Sequence, residues 1–226
     1  MCGRYTLASA IKAWEERFQL NFGDHLTAPR FNVTPGQSAP VIVQGNRREV
    51  RSMRWRLVPH WSKDETIGNK MINARSETLA EKPSFRRPLE RTRCLVPADG
   101  FYEWRLKPSG KGKVPVRFVL KNGEPFAFAG LFDQWMGPDD LVLESFTIIT
   151  TSPNELAAKV HNRMPVILPR DSENLWLTRE AADLTGLTTL LRPYPAEQMD
   201  FYEVSSVVNS PANDTKACIA KVQTIL

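Results

Sequence analysis

No run of apolar residues in this 226-residue chain approaches the ~18 to 20 needed to span a bilayer. The first residues also lack the basic-then-apolar order of a secretory signal, so a cytoplasmic protein without a membrane partner is expected. Cysteine is scarce: Cys2, Cys94 and Cys218 form an odd set with no C-x-x-C spacing, which argues against a disulfide framework and a four-ligand zinc site. Histidine is equally sparse, and His25, His60 and His161 are scattered too widely to suggest a metal centre, so neither metal nor cofactor is expected. Internal repeats and low-complexity linkers are missing too. What remains is one globular, monomeric domain over residues 1–226, with about 1–210 as its core and 211–226 as a C-terminal tail.

The charge is unevenly placed. A net +5 hides +11 in residues 1–120, from 22 Lys+Arg against 11 Asp+Glu, and −6 in residues 121–226, from 8 against 14. Arginines cluster at Arg47, Arg48, Arg51, Arg54 and Arg56, and again at Arg86, Arg87, Arg91 and Arg93, a density suited to holding a polyanion. For any one cluster the plainer reading is a solvated basic surface.

Hydrophobic periodicity predicts an amphipathic helix over residues 9–20, with Ser9 as its cap. From Arg30 to Leu57 short runs are separated by Pro35-Gly36 and Gly45-Asn46, and over residues 92–151 β-branched and aromatic runs are separated by Ser109-Gly110, Asn122-Gly123 and Gly137-Pro138, the pattern of antiparallel strands. Asn122-Gly123 is the clearest hairpin signal. The stretch 152–161 predicts a capped helix ending at His161, with further helices near Ser172–Leu177 and Leu187–Leu191 and a strand at Phe201–Val204. Strands dominate without regular strand–helix–strand alternation. The expected fold is therefore α+β, one compact domain around a curved, mostly antiparallel, barrel-like sheet with a few peripheral helices.

The opening Met1-Cys2-Gly3-Arg4 carries the most chemical information. A small second residue lets the initiator methionine be removed, and Cys2 then bears a free amine (pKa ~7.7 to 8.0) beside a thiol (~8.5). Such a pair suits an aldehyde: the amine condenses to a Schiff base, and the thiol closes on the same carbon to give a thiazolidine. The ordinary alternative is a small residue in a frayed terminus.

Five motifs then carry a resemblance. Met-Cys-Gly-Arg at the start, Phe31-Asn32-Val33-Thr34-Pro35, Ile72 through Thr78 (INARSET), Arg93 through Trp104 (RCLVPADGFYEW) and His161 through Pro165 (HNRMP) run in one order over nearly the whole chain, and together resemble the SRAP (SOS response-associated peptidase) family. The resemblance implies a protein that recognises abasic sites in single-stranded DNA and joins its N-terminal cysteine covalently to the sugar aldehyde. It also implies possible autoproteolytic removal of the first residue, as a thiol peptidase, and lyase-like Schiff-base chemistry.

By that resemblance Cys2 is the nucleophile and Asn73, Glu103 and His161 complete the catalytic set. Asn73 can hold the amine or a reacting oxygen without titrating. Glu103, among Phe101, Tyr102 and Trp104, would have a raised pKa and act as general acid and base, unless it is an outward-facing strand residue. His161 can protonate the sugar ring oxygen, or simply charge a helix end. Arg4, Arg75 and Arg163 are expected to grip phosphates, and Asn32, Trp61, Thr150 and, loosely, Lys82 to line the DNA path. Trp61 is otherwise a core aromatic. Two other mechanisms fit parts of the pattern: an N-terminal-nucleophile glutamine amidotransferase, which also starts Met-Cys-Gly, and a noncatalytic single-strand-binding module.

Overall fold

The computed structural model describes residues 2–107, 109–178 and 184–222. Its strands are β1 (Tyr5–Leu7), β2 (Arg30–Val33), β3 (Ser38–Gln44), β4 (Arg48–Trp55), β5 (Asn73–Arg75), β6 (Arg93–Ala98) and β7 (Gly100–Leu106). They continue as β8 (Lys113–Leu120), β9 (Phe126–Met136), β10 (Val142–Thr151), β11 (Met164–Pro165), β12 (Ile167–Leu168) and β13 (Met199–Glu203). The helices are α1 (Ile11–Phe18), α2 (Pro83–Arg91), α3 (Arg170–Leu177) and α4 (Leu184–Thr188).

Strands β10, β4, β3, β6 and β9 pair in that order, and β9 pairs back onto β10, closing a five-stranded barrel. All its pairings are antiparallel except β10 with β4. β9 is buried on both faces over Phe126–Asp133, because α2 and α3 cover its outside. Gly130 is required within it. A Cβ there would stand 2.8 Å from both Cys94 Sγ and Val96 Cγ2 on the neighbouring β6.

A second antiparallel sheet, in the order β13-β8-β7-β1-β2, packs against the barrel. The expected α+β fold, with a mostly antiparallel barrel-like sheet and peripheral helices, is present. At Asp99-Gly100 the chain turns from barrel strand β6 into β7 of the second sheet. Buried Asp99 holds this corner: Oδ1 accepts from Thr6 Oγ1 (2.5 Å) and Arg117 Nη2 (3.1 Å), and Oδ2 from Ser9 N (2.5 Å) and Oγ (2.7 Å). This explains why Ser9 does not cap α1. Its hydroxyl is committed to Asp99, and Ala10 stands at the cap without a side-chain bond.

Three other expectations are corrected. Asn122-Gly123 forms a turn, with Gly123 at φ 70°, yet β8 and β9 do not pair: the turn hands the chain from the second sheet to the barrel. Residues 152–161 contain only a 3-10 turn at Ala157–Lys159, because Asn154 Oδ1 takes the Ala157 amide (2.8 Å) while its Nδ2 is tied to Tyr194 O (2.6 Å). These bonds fix Asn154 at the head of a single turn. The helix expected near Leu187–Leu191 lies earlier, at Leu184–Thr188.

Candidate functional site

The fold brings the second sheet's β1 and β7 to the mouth of the barrel where β5, β10 and β11 end. Tyr5 pairs with Phe101, and Tyr102 N donates to Arg4 O at 3.0 Å, so the β1–β7 ladder carries the residues just before β1 alongside Glu103. β5 runs parallel to β10, with Asn73 opposite Ile148 and Arg75 opposite Thr150, and Thr150 also faces Pro165 of β11. Four of the five sequence motifs thus meet at one place.

Cys2 is fully buried, not frayed. Asn73 Nδ2 donates to the Cys2 carbonyl at 2.8 Å, and the Cys2 thiol points to Arg4 O at 3.7 Å. Asn73 Oδ1 is buried and has no hydrogen-bond partner among the described residues. Burial pushes the Cys2 thiol far above its ordinary pKa, and the Glu103 charge pushes it further, so the thiol is protonated as placed. Met1 lies outside the described residues.

Glu103 is 4% exposed, which rules out an outward-facing role. Desolvation raises its pKa to about 6, with the positive charges of the chain terminus and Lys113 acting the other way. His161 follows the Ala157–Lys159 turn. Its Nδ1 accepts from the Arg163 amide at 3.0 Å, which fixes the neutral tautomer with the proton on Nε2. Burial holds this imidazole below its ordinary pKa. Cys2, Asn73, Glu103 and His161 together can supply a nucleophile, a non-titrating amide, a carboxyl that exchanges protons near pH 6 and an imidazole N–H donor. Among the described residues, no group of three or more His, Cys, Asp or Glu side chains is placed to hold a metal ion.

The residues expected to face DNA divide into two sets. Trp61 is 50% exposed, not a core aromatic, and Arg75 and Lys82 are exposed as well, Lys82 just before α2. Arg4, Asn32 and Thr150 are turned inward. Arg4 donates to Asn32 Oδ1 (3.0 Å), Val208 O (2.5 Å) and Asn209 O (3.1 Å), and lies 5.7 Å over the Trp104 ring. Asn32 Nδ2 donates to the carbonyls of Val208, Ser210 and Asn213, and Thr150 is fully buried. Arg163 pairs with Glu77 through both guanidinium arms.

Part of the arginine clusters is neutralised where it stands. Arg51 pairs with Glu49 and Glu144, and Arg54 with Glu65. Buried Arg93 donates to the carbonyls of Leu89, Glu90, Trp176 and Thr178, closing the ends of α2 and α3. Sequence reasoning missed the segment 205–222 that seats Arg4 and Asn32, because the groups receiving those two side chains are main-chain carbonyls, which leave no signature in residue types. It also missed Lys113, which sits across a glycine-rich turn from β7 yet lowers the pKa of both Glu103 and His161.

Known proteins resemble this chain over most of its length. YoqW of Bacillus subtilis, described as an abasic site processing protein, is 48% identical over 223 residues, covering 97% of this chain and 99% of its own. The chicken (Gallus gallus) abasic site processing protein HMCES is 33% identical over 226 residues, 86% of this chain and 67% of that protein. A crystal structure from Bacteroides thetaiotaomicron superposes with a TM-score of 0.88 at 28% identity, covering 98% of this chain and 100% of that one. The profile of the SOS response associated peptidase (SRAP) family matches residues 1–211. The chain therefore belongs to the SRAP family.

Proposed function

We propose that this protein captures abasic sites in single-stranded DNA as a covalent adduct on Cys2. What supports the reading most is the enclosure of Cys2 against Asn73, with the pKa-raised carboxyl of Glu103 close enough to disturb the thiol. The relatives described as abasic site processing proteins supply the substrate class.

Hydrolysis of the Met1–Cys2 peptide bond comes first and frees the Cys2 amine. Glu103 takes the proton of the anomeric hydroxyl and delivers it to the ring oxygen, which the neutral His161 polarises by hydrogen bonding through its Nε2–H, and the ring opens to the aldehyde. The amine adds to the aldehyde carbon, Glu103 shuttles the proton from nitrogen to the leaving hydroxyl, and water departs to give the imine. The thiol then adds to the same carbon. A C–S bond forms, the thiol proton passes to nitrogen, and a thiazolidine results with one water lost overall and no change of oxidation state. The unpartnered Asn73 Oδ1 is an acceptor for the N–H of the freed amine. Thiazolidine closure needs no standing thiolate, because the imine carbon is a strong electrophile and Glu103 can take the proton as the bond forms.

Along the strand, Arg75 and Lys82 meet phosphates and Trp61 offers a face for an unstacked base, while Arg4, Asn32 and Thr150 support the site from beneath. Specificity then comes from the aldehyde rather than from base sequence. The protein acts as a monomer, in the cytoplasm or on the nucleoid. Incubation with an oligonucleotide carrying one abasic site tests the reading: the wild type should form a heat-stable adduct, and Cys2→Ala should form none while keeping salt-sensitive binding. An adduct of equal yield from Cys2→Ala would overturn it, and glutaminase activity without an adduct would favour an amidotransferase.

A further inference from the structure

The Glu77–Arg163 pair stands at the rim of the site and has no part in the chemistry above. Arg163 Nη1 donates to Glu77 Oε1 at 2.5 Å and Nη2 to Oε2 at 2.9 Å, the two-pronged geometry with which guanidinium also grips a phosphate. Nη2 is further tied to Thr150 O at 2.7 Å. The two partners differ sharply in exposure: the Arg163 side chain is 15% exposed and that of Glu77 is 51%. Arginine is thus the fixed member, seated against β10, and glutamate is the outer, replaceable one. The hydrogen bonds from Arg163 hold the Glu77 carboxyl below its ordinary pKa, so it is ionised at neutral pH and cancels the arginine's charge. The neighbouring Arg75 is exposed on the same short stretch of chain.

We propose that Glu77 is an internal stand-in for a DNA phosphate, a specificity-determining residue that occupies Arg163 in the free protein and must be displaced before a backbone phosphate can bind there. This rests on the reading of the site as a single-strand DNA site. Its use follows from the covalent chemistry. A protein that traps its target irreversibly gains nothing from holding undamaged strands tightly, and an anion that competes with every phosphate weakens reversible binding while the aldehyde reaction still retains the lesion. The same pair joins the segment after β5 to the loop whose Arg163 amide orients His161. Displacement of Glu77 is therefore felt beside the catalytic imidazole.

The test is binding of an oligothymidylate with no abasic site, followed by fluorescence anisotropy over a series of salt concentrations, for wild type, Glu77→Gln, Glu77→Asp, and the double variant Glu77→Gln with Arg163→Gln. Glu77→Gln should bind about fivefold more tightly, ~1 kcal/mol, the upper range for a partly exposed ion pair. The plot of log affinity against log salt should steepen by ~0.7, the weight of one phosphate contact on a single strand, because no displaced carboxylate then stays beside the bound phosphate to offset it. Glu77→Asp, which keeps the charge, should keep the wild-type slope, and the double variant should lose the gain. An unchanged or shallower slope for Glu77→Gln, with its melting temperature intact, would overturn the proposal and leave Glu77 as a brace for Arg163. Adduct formation by the wild type on an abasic oligonucleotide, measured alongside, separates that failure from a failure of the functional reading itself.

Discussion

At the scale of single residues, Glu103 is where function and stability pull apart. Burial raises its pKa from 4.5 to about 6. Below pH 4.5 the carboxyl is protonated in both folded and unfolded chains and costs nothing; above pH 6 it is ionised in both, and the folded protein bears the full penalty, on the order of 2 kcal/mol. Stability from this residue is therefore lost as pH rises through the folded pKa. Glu103→Gln should melt roughly 4–8 °C higher than wild type at pH 8, and the gap should close by pH 4, as differential scanning fluorimetry over that range can check. Catalysis moves in the opposite direction, since proton removal needs the carboxylate: the rate of adduct formation should fall as pH drops through about 6, and this acid limb should vanish in Glu103→Gln together with most of the rate. His161→Ala should slow capture most when the sugar is ring-closed, and a substrate held open as the aldehyde should narrow the difference.

The sequence alone could show that Glu103 stands among aromatic residues, but not which face of β7 is dry. That is decided by β1, β8 and the segment 205–222 packing around it. Likewise Arg4 and Arg163 carry the residue type of a phosphate grip, yet their partners come from distant parts of the chain: the Val208 and Asn209 carbonyls for one, Glu77 for the other. Side-chain type was legible in the sequence, and the identity of each partner was not.

Among the elements, the segment 205–222 does more than its polar composition suggests. Arg4, Asn32, Tyr102 and Trp104, which flank Cys2 and Glu103 or lie on the strand next to Cys2's own, all bond to it. Asp214 fastens it to β2, its Oδ1 accepting from Phe31 N and, at 3.0 Å, from Asn32 N. Asp214→Ala leaves two amides without their charged acceptor and should cost roughly 2 kcal/mol, a fall in melting temperature of about 4–8 °C. Adduct formation should slow as well, because β2, whose Asn32 receives Arg4 two residues from Cys2, loses its brace; Asp214→Asn, which can still accept through Oδ1, should restore much of both. The corner before β7 is less forgiving. A Cβ on Gly100 would stand 2.6 Å from Arg117 Nε, and that buried guanidinium cannot retreat without leaving Asp99. Gly100→Ala should therefore cost ~3 kcal/mol or more in chemical denaturation. Most strands were legible from β-branched runs and turn pairs. The 152–161 segment and the Asn122-Gly123 turn were not, because a local side-chain bond and a change of sheet decided them, and neither alters the pattern of residue types.

Across the whole molecule, the excess of positive charge in residues 1–120 survives in the structure only in part. Arg51, Arg54 and Arg93 are spent on neighbouring carboxylates and helix ends, and the cations left exposed near the site are few, Arg75 and Lys113 among them. Reversible affinity for undamaged single strands should accordingly be modest, with retention of the lesion left to the covalent bond. The barrel and second sheet close Cys2 between them, where the proposed bond would form. The most direct test is intact-mass spectrometry of the purified protein before and after incubation with a single-stranded oligonucleotide bearing one abasic site. A starting mass lacking Met1, and a product heavier by the oligonucleotide less one water, is the result this account predicts. Full reaction by a chain that still carries Met1, or an adduct on any residue other than Cys2, would contradict it.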